Sequence, residues 1–553
     1  MTDVPSAHVD TFARDHLPPR EQWPELIFDL PELQYPQRLN CAAALLDDAV
    51  ARGWGERIAI LSPSGVRWTY AELVARANQY AHVLVEDMGV VPGNRVLLRG
   101  PNTPEMAACW FAVIKAGAIA VATMPLLRAR DLVPILDKAR LTHALCDVRL
   151  MDELRTGQAS SPLLGTVMAV GEGGDDVDTI GRRASAKART FHNVDTAADD
   201  TALIAFTSGT TGKPKGTMHF HRDVLAICDC WPRSMLRATA DDVFVGSPPL
   251  AFTFGLGGLL LFPLRVGASA LLLEKASPDA LLDAIARHRP TVLFTAPTSY
   301  RAMAMQIAGY DVSSLRKCVS AGEALPAPTR KLWKDATGIE IIDGIGATEM
   351  LHIFISHADD DARPGATGKP VPGYIACVMD DDGRPVPKGT VGRLAVKGPT
   401  GCRYLDDARQ SAYVKNGWNY TGDAYLVDED GWFVYQARTD DMIVSSGYNI
   451  AGPEVESTLL LHPAVAECAC VGAPDEERGM IVKAFVVLKP GYSGNATLCA
   501  TLQAFVKQEI APYKYPRAIE FVESLPRTET GKLQRFRLRD LETDRARDGG
   551  TKA

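Results

Sequence analysis

The stretch "TSGTTGKPKG", Thr207–Gly216, brings hydroxyl side chains, glycines and two lysines together within ten residues. Glycine lets the backbone approach a ligand closely, hydroxyl and N–H groups donate hydrogen bonds, and lysine supplies positive charge. The stretch follows "TALIAF", Thr201–Phe206, an apolar run of strand length. Because a strand that ends in a Gly-rich turn is a recurrent phosphate site, the sequence predicts a loop that binds a polyphosphate. The same composition also occurs in surface turns that bind nothing.

The loop differs from that of the P-loop NTPases. The spacing G-x-x-x-x-G-K-[ST] cannot be read across it, and Pro214 follows Lys213. An ordinary P-loop NTPase is therefore not predicted.

Length and composition limit the possible classes of protein. The chain has 553 residues, of which 46% are apolar and 23% charged, so we expect a large domain and at least one smaller one. The net charge of −8 gives no general reason to bind nucleic acid or an anionic membrane. No apolar core follows a basic start, so the sequence predicts a cytoplasmic protein without a secretory signal. The eleven scattered cysteines predict reduced, buried thiols rather than disulfides or zinc ligands.

The order of apolar runs predicts the fold class. Short β-prone runs alternate with helical patterns in the first half and again after residue 200, which indicates two α/β subdomains with mostly parallel sheets. One of these helices is predicted over Thr69–Glu86, opened by a Thr cap with Glu72 three residues on. The polar stretch 171–200 is interpreted as an exposed loop.

The pattern of predicted secondary structure changes after Val371. Two Asp-Gly pairs between β-prone runs predict a small antiparallel, β-barrel-like unit. After residue 439 the pattern becomes that of a small α+β domain. We therefore predict a large N-terminal domain over 1–439 and a mobile C-terminal domain over 440–553.

Four further motifs are each weak alone. They are "DGIGATEM" (343–350), "YTGDA" (420–424), "ARTDD" (437–441) and "PRTETGKLQR" (526–535). Taken with the loop and with "SSGYNI", in this order and at these spacings, they resemble the adenylate-forming superfamily of acyl-CoA ligases, peptide-synthetase adenylation domains and luciferases. The resemblance extends from about Trp54 to Arg535.

The resemblance implies a site for ATP and Mg²⁺ and a role for each matching residue. Lys215 would bind the β- and γ-phosphates, Thr348 the α-phosphate, and Glu349 the Mg²⁺ ion. The other implied nucleotide contacts come from the phosphate loop, the adenine-binding stretches and the ribose-binding pair: Thr207, Ser208, Gly209, Thr210, Thr211, Gly212, Gly322, Glu323, Ala324, Asp343, Gly344, Ile345, Asp423 and Arg438.

The resemblance also implies a rotating small domain. Lys532 would bridge the acid and the α-phosphate during adenylation, Asp440 matches the hinge position, and Gly447 would line the channel for coenzyme A. One static arrangement does not easily serve both half-reactions, which is the reason for the rotation.

The acid is predicted from the stretches that line the substrate pocket. Within the superfamily the chain is most similar to benzoate and 2-aminobenzoate CoA ligases, on residues 17–40, 247–264 and 343–356. No carboxylate for a substrate ammonium group stands at Phe252–Gly255, so a free α-amino acid is disfavoured. The predicted pocket residues are Phe252, Thr253, Phe254, Ala296, Gly322, Ile345 and His352. Thr253 or His352 is expected to meet an ortho substituent, with a satisfied buried histidine as the alternative for His352.

The predicted function is that of an aryl-CoA ligase, which activates an aromatic acid with ATP and transfers it to coenzyme A. Two alternatives stay open: a stand-alone adenylation enzyme that loads a carrier protein, and a non-catalytic adenylate sensor. The expected partners are the small-molecule substrates, without nucleic acid or membrane. The protein is expected to be a monomer or homodimer, and Lys532 resembles a site for a lysine acetyltransferase.

Overall fold

The structure is a computed structural model. It describes residues 4–173, 177–207, 214–445, 448–475, 478–528 and 533–549.

The strands of the described residues form five sheets. In chain order they are β1 (Ile58–Leu61), β2 (Arg67–Thr69), β3 (Arg95–Arg99), β4 (Ile119–Thr123), β5 (His143–Asp147), β6 (Thr166–Val170), β7 (Thr201–Thr207), β8 (Lys215–Phe220), β9 (Val243–Gly246), β10 (Ser269–Leu271), β11 (Val292–Thr295), β12 (Lys317–Ser320), β13 (Ile341–Gly346), β14 (Ile353–Ser356), β15 (Lys369–Pro370), β16 (Ile375–Met379), β17 (Gly392–Lys397), β18 (Val414–Lys415), β19 (Trp418–Val427), β20 (Phe433–Arg438), β21 (Ile443–Ser445), β22 (Tyr448–Ile450), β23 (Val465–Asp475), β24 (Gly479–Leu488) and β25 (Ala518–Phe521).

The α-helices lie mostly between these strands. They are α1 (Phe12–Asp15), α2 (Tyr70–His82), α3 (Pro104–Lys115), α4 (Ala129–Lys138), α5 (Met151–Ser160), α6 (Ile180–Ala184), α7 (His221–Trp231), α8 (Thr253–Leu256), α9 (Phe262–Val266), α10 (Pro278–His288), α11 (Pro297–Gln306), α12 (Ala327–Thr337), α13 (Gln410–Tyr413), α14 (Gly452–Leu459), α15 (Ala496–Glu509) and α16 (Arg535–Gly549). Wider π turns continue three of them, at Val83–Asp87, Pro232–Leu236 and Gly257–Leu261.

Two parallel-rich sheets form the main body. One has six strands in the order β6-β5-β3-β4-β7-β8, and the other has nine in the order β15-β14-β13-β12-β11-β9-β10-β1-β2. Alternate side chains of their strands enter different cores: Val96 and Leu98 pack in one core and Leu97 in another. Since neighbouring side chains on a strand point to opposite faces, both faces of the sheet are covered.

The remaining sheets are smaller. An antiparallel sheet joins β16, β17, β19 and β18, with β20 on β19, and the last part of the chain forms the sheets β21-β22 and β23-β24-β25. The predicted fold class, two α/β subdomains with a small β unit and a C-terminal α+β region, is confirmed. The boundary at residues 439 and 440 and the mobility of the C-terminal domain stay predictions.

The predicted helix after Thr69 forms for the expected reason. The Thr69 hydroxyl accepts from the Glu72 N–H at 3.1 Å, and the Glu72 carboxylate accepts from the Thr69 N–H at 2.8 Å. This reciprocal pair satisfies two donors that the first helical turn leaves free.

The interpretation of 171–200 as an exposed loop is wrong in part. Helix α6 lies within it, and its residues Ile180 and Ala184 are fully buried. The two are four residues apart, so they lie on one face of the helix, and that face packs against α2. Little in the sequence indicates this helix, because it is short and only two of its positions, Ile180 and Ala184, are apolar.

The first 40 residues of the chain contact elements that are distant from them in sequence. The N–H of Glu25 donates to the Gly417 carbonyl at 2.9 Å, and Leu26 forms a parallel bridge with Gly398. The Trp23 ring lies 5.6 Å from the Phe220 ring, centroid to centroid. The first 40 residues are thereby attached to the antiparallel sheet and to β8.

The eleven cysteines are all free thiols, and nine are buried, as predicted. None of the helices in the described part of the chain combines the length and the apolar character that a bilayer crossing needs.

Candidate active site

The predicted phosphate loop joins two antiparallel strands. β7 ends at Thr207 and β8 begins at Lys215, and these two residues are paired across the hairpin. Residues 208–213 between them lie outside the described residues, so the structure places none of Ser208, Gly209, Thr210, Thr211 and Gly212. The buried Thr207 hydroxyl has no hydrogen-bond partner within the described ranges. The loop is therefore presented at the end of a buried strand pair.

Lys215 reaches Glu349 through Tyr404, which the sequence analysis missed. The Lys215 Nζ lies 2.9 Å from the Tyr404 hydroxyl and 3.4 Å from Glu349 Oε1. The Tyr404 hydroxyl donates to Glu349 Oε1 at 2.5 Å. Burial, together with the neighbouring Glu349 carboxylate, raises the pKa of Tyr404, so the phenol stays a neutral donor.

Thr348 and Glu349 lie on one 3₁₀ turn, Thr348–Met350. The next residue, Leu351, has a φ of 66°, an uncommon backbone conformation for a residue with a branched side chain. The Thr400 hydroxyl donates to the Met350 carbonyl at 2.8 Å. The turn is thus held by contacts from outside it, which is how a strained functional turn persists.

Glu349 fits the role of a Mg²⁺ ligand. Both polar contacts that the structure gives its carboxylate use Oε1, which leaves Oε2 for a cation. No group of three or more metal-ligating side chains exists among the residues described. A single carboxylate is compatible with a Mg²⁺ site, because Mg²⁺ in nucleotide sites takes its other ligands from water and the phosphates.

The two predicted adenine-binding stretches lie on neighbouring parallel strands. β12 ends at Ser320, two residues before Gly322, and Ser320 is paired with Asp343 on β13. Asp343 and Gly344 are buried, whereas Gly322 is exposed. Burial raises the pKa of the Asp343 carboxyl to about 7, and the Arg330 charge acts in the opposite direction. The carboxyl ends of two adjacent strands thus present both stretches at one edge of the sheet.

The predicted ribose pair forms across two antiparallel strands. Asp423 on β19 is paired with Arg438 on β20, and the Arg438 guanidinium lies 3.1 Å from the Asp423 carboxylate. Burial raises the pKa of Asp423, and Arg438 opposes that shift. Asp423 is buried and Arg438 is exposed, so the pair has one anchored and one accessible member.

His352 lies within a cluster of aromatic rings. Its imidazole centroid is 4.4 Å from Phe262, 5.7 Å from Phe254 and 5.9 Å from Trp231. Phe254 also lies 5.5 Å from Phe294, at the end of the strand that leads to Ala296. The structure therefore brings Phe254, His352 and the strand before Ala296 together, as the pocket prediction requires.

The other predicted pocket residues lie on the adjacent segments. Phe252 and Thr253 stand half-buried at the start of α8, directly before Phe254. Ile345 is half-buried on β13 and packs against the main core. Gly322 lies after β12 and is exposed.

The imidazole of His352 is deeply buried. Its side chain is 2% exposed, and neither ring nitrogen has a hydrogen-bond partner of normal geometry among the described residues. Burial lowers the pKa of His352 to about 3, while the Phe254 backbone acts in the opposite direction. The ring is therefore neutral, with one donor and one acceptor nitrogen. The Phe254 backbone offers it a hydrogen bond outside normal geometry. The contact of His352 with an ortho substituent and the alternative of a satisfied buried histidine both stay predictions.

Arg527 lies beside the predicted adenine-binding stretch. Arg527 forms an antiparallel bridge with Leu533, and the Gln534 N–H donates to the Pro526 carbonyl at 2.9 Å. The Arg527 guanidinium lies 3.7 Å from the Glu323 carboxylate. Lys532 and Gly447 themselves lie outside the described residues, and Asp440 lies in the 3₁₀ turn Thr439–Asp441.

Two family models match the chain. The model described as AMP-binding enzyme matches residues 47–403, and the model described as AMP-binding enzyme C-terminal domain matches residues 454–532. The first alone covers more than half of the chain.

Individual relatives match over nearly the whole length. A benzoate–CoA ligase of Thauera aromatica is 37% identical over 518 residues, which are 92% of this chain and 97% of the relative. The crystal structure of an anthranilate CoA ligase in complex with anthranoyl-AMP has a TM-score of 0.89 at 35% identity, covering 94% of this chain and 100% of that one. A benzoate CoA ligase from Burkholderia xenovorans has a TM-score of 0.82 at 34% identity, with 91% and 100% covered.

Proposed function

Because the chain belongs to the AMP-binding enzyme family, in the adenylate-forming superfamily, we propose that it activates benzoate, 2-aminobenzoate or a similar ortho-substituted benzoate. It is an AMP-forming acid–thiol ligase, and its reaction uses ATP, Mg²⁺ and coenzyme A. What we propose is the identity of the acid, the role of each residue and the acceptor of the acyl group.

The choice of acid rests on the imidazole of His352, which has no hydrogen bond of normal geometry among the described residues. The aromatic rings around His352 favour an aryl substrate, since stacked and edge-on aromatic contacts are favourable. A neutral imidazole with free hydrogen-bonding capacity favours a small polar substituent on that aryl group, because a buried polar atom without a partner is costly. The names of the relatives, which include benzoate and anthranilate ligases, support the same class of acid.

The reaction runs in two steps. An oxygen of the acid attacks the α-phosphorus of ATP, so that an acyl–O–P linkage forms and the bond to pyrophosphate breaks. The sulfur of coenzyme A then attacks the acyl carbon, a C–S bond forms, the C–O bond to AMP breaks, and the thiol proton passes to solvent. Pyrophosphate leaves before the thiol reacts, which gives ping-pong kinetics.

The residues of the Lys215–Tyr404–Glu349 cluster stabilise the first step. Lys215 turns from Tyr404 to the β- and γ-phosphates, and Thr348 donates to the α-phosphate. Glu349 would hold Mg²⁺ through Oε2, since its contacts with Lys215 and Tyr404 use Oε1. When bound, the ion neutralises charge on the phosphates.

The rest of the nucleotide is held by the sheet edge and the β19–β20 pair. Gly322–Ala324 and Asp343–Ile345 lie on either side of the adenine, and Asp423 with Arg438 binds the ribose. Lys532 would act in the first step, where its charge assists the attack on phosphorus. Rotation at Asp440 would then bring Gly447 to the thiol channel.

Further features stay predictions. They are a cytoplasmic location, a monomeric or homodimeric state, and acetylation of Lys532 by a lysine acetyltransferase.

A screen of acids tests the proposal. ATP/pyrophosphate exchange is measured with benzoate, 2-aminobenzoate, salicylate and acetate, and thioester formation is measured with free coenzyme A and with a carrier protein. We expect exchange with the aryl acids and thioester with coenzyme A. Exchange with none of them would favour the sensor alternative, and transfer only to the carrier protein would favour the carrier-loading alternative.

Two substitutions test the pocket. For Thr253→Ala and His352→Leu we expect the ratio of kcat/KM between 2-aminobenzoate and benzoate to change by about 10-fold, which corresponds to about 1.4 kcal/mol and lies within the range of a single hydrogen bond. Thr501→Ala, exposed on α15, is the matched control and should leave the ratio unchanged. An unchanged ratio in both pocket variants would remove the ortho-substituent assignment.

A further inference from the structure

A buried histidine lies directly behind the turn that carries Thr348 and Glu349. His219, on β8, is fully buried, and its Nε2 lies 2.8 Å from the Thr348 carbonyl oxygen. Because a carbonyl oxygen only accepts, the proton of the imidazole must be on Nε2 for this contact to be a hydrogen bond. His219 thus binds the backbone of the turn rather than its functional side chains.

The histidine is itself backed by a buried ion pair. Its Nδ1 lies 3.8 Å from the carboxylate of Asp223, and Asp223 is paired with Arg403. Both charged side chains are fully buried. The Arg403 guanidinium lies 3.9 Å from the centre of the Phe220 ring and 5.6 Å from that of Trp23. The aromatic rings exclude water from the pair, so its members are held in one arrangement.

The turn depends on such outside contacts. Its own backbone supplies two hydrogen bonds, from Met350 to Ala347 and from Leu351 to Thr348, each 3.1 Å long. Leu351 is in an unfavourable conformation, which makes the turn costly to hold. Thr400 holds the Met350 carbonyl and Tyr404 holds the Glu349 carboxylate. His219 is the side chain that holds the Thr348 carbonyl.

We propose that His219, backed by Asp223 and Arg403, is a positioning residue that fixes the Thr348–Glu349 turn for the nucleotide and its Mg²⁺ ion. The inference rests on the proposed roles of Thr348 and Glu349. His219 touches no substrate: it acts through the backbone, as groups behind a metal ligand do when they orient that ligand.

The test compares two substitutions at His219. His219→Leu removes the donor, whereas His219→Gln keeps an N–H donor at a similar distance from the chain. The matched control is His143→Leu: His143 is also a buried histidine in the six-stranded sheet, but its Nε2 contacts the Met88 carbonyl, at 3.1 Å. Thermal unfolding of all variants establishes that they fold.

The main readout is binding of ATP by calorimetry, with and without Mg²⁺. We expect His219→Leu to reduce the gain in ATP affinity that Mg²⁺ gives by about 10- to 100-fold, the range for groups that orient a metal ligand. In pyrophosphate exchange the same variant should lower kcat and raise the half-saturating Mg²⁺ concentration. His219→Gln should recover most of both values, and His143→Leu should match the parent.

Two results would overturn the inference. One is a folded His219→Leu protein whose Mg²⁺ dependence equals that of the parent. The other is a folded His219→Gln protein as impaired as His219→Leu, because a general packing defect would then explain both. If the parent itself shows no exchange with any aryl acid, the proposed function fails, while the calorimetric comparison still decides the role of His219.

Discussion

The Arg527 guanidinium lies 3.7 Å from the Glu323 carboxylate and 2.8 Å from the Glu467 carboxylate. Glu323 belongs to the adenine-binding stretch, and Arg527 begins the loop that leads to Lys532. The contact therefore joins the C-terminal region to the predicted adenine-binding stretch.

Removal of this ion pair should affect the first half-reaction selectively. We expect Arg527→Gln to lower pyrophosphate exchange by about 2- to 5-fold, in line with the modest energy of a partly exposed pair. Thioester formation from supplied acyl-AMP should not fall. Arg545→Gln, which removes a pair with Glu520 inside the C-terminal region, is the control. Equal losses in both half-reactions would show that Arg527 does not favour one arrangement.

The Tyr404 hydroxyl should matter for Mg²⁺ use. Tyr404→Phe leaves Glu349 without its donor, and a hydrogen bond to a charged group contributes about 1.5–3 kcal/mol. We expect exchange to fall by about 10-fold or more and the half-saturating Mg²⁺ concentration to rise. Tyr413→Phe is a close control, because the Tyr413 hydroxyl is buried without a partner in the described part of the chain and its ring lies 5.8 Å from that of Tyr404. If the two variants behaved alike, the hydroxyl of Tyr404 would have no special role.

The raised pKa of Asp343, about 7, predicts a pH-dependent stability. Between the ordinary value of 3.8 and about 7 the folded state keeps a proton that the unfolded state has lost. The free energy of unfolding of the parent should therefore fall relative to Asp343→Asn as the pH rises through this window, by at most about 1.4 kcal/mol per pH unit, and stay level above it. Chemical denaturation at a series of pH values measures the difference. The control Asp335→Asn, which replaces an exposed carboxylate on α12, should show no such pH-dependent difference from the parent.

Gly257 keeps space open beside His352. A Cβ at this position would lie 2.5 Å from His352 Cδ2, so the imidazole would have to move. We expect Gly257→Ala to change the selectivity between benzoate and 2-aminobenzoate by about 10-fold or more. Gly165→Ala is the control, since an added Cβ there meets nothing within 4 Å. Unchanged selectivity would place the aryl ring elsewhere.

Lys532 should act in adenylation alone. Lys532→Ala, or acetylation of the lysine, removes the charge that assists attack on phosphorus, and we expect a loss of about 100-fold or more in exchange. Thioester formation from supplied acyl-AMP should survive. A similar fall in both half-reactions would contradict the role assigned to this lysine.

The sequence predicted features that local patterns determine. The strand before the phosphate loop, the capping box at Thr69 and Glu72, and the fold class follow from periodicity and from turn residues. The aromatic surroundings of His352 were also expected, since aromatic and small residues make up the segment 252–255.

Features that depend on distant pairing were missed. Tyr404 reaches the site because it forms an antiparallel bridge with Thr217, and no local pattern indicates that contact. His219 alternates with apolar residues on β8, as a core histidine would, and only the register of the hairpin places it behind Thr348. The sequence analysis also did not predict β23 or α16. The apolar run "AVAECACVGA" at 464–473 could have indicated the strand.

The attachment of the first residues to Gly398 and Gly417 affects the order in which the chain folds during synthesis. Glu25 leaves the ribosome about 390 residues before its partner at 417, which at the usual speed of translation is a delay of about 20 to 80 s. Over that interval the Trp23 ring can contact the neighbouring Arg20 guanidinium but not that of Arg403. This ring therefore covers the buried pair of Arg403 and Asp223 only after the first 403 of the 553 residues have been synthesised.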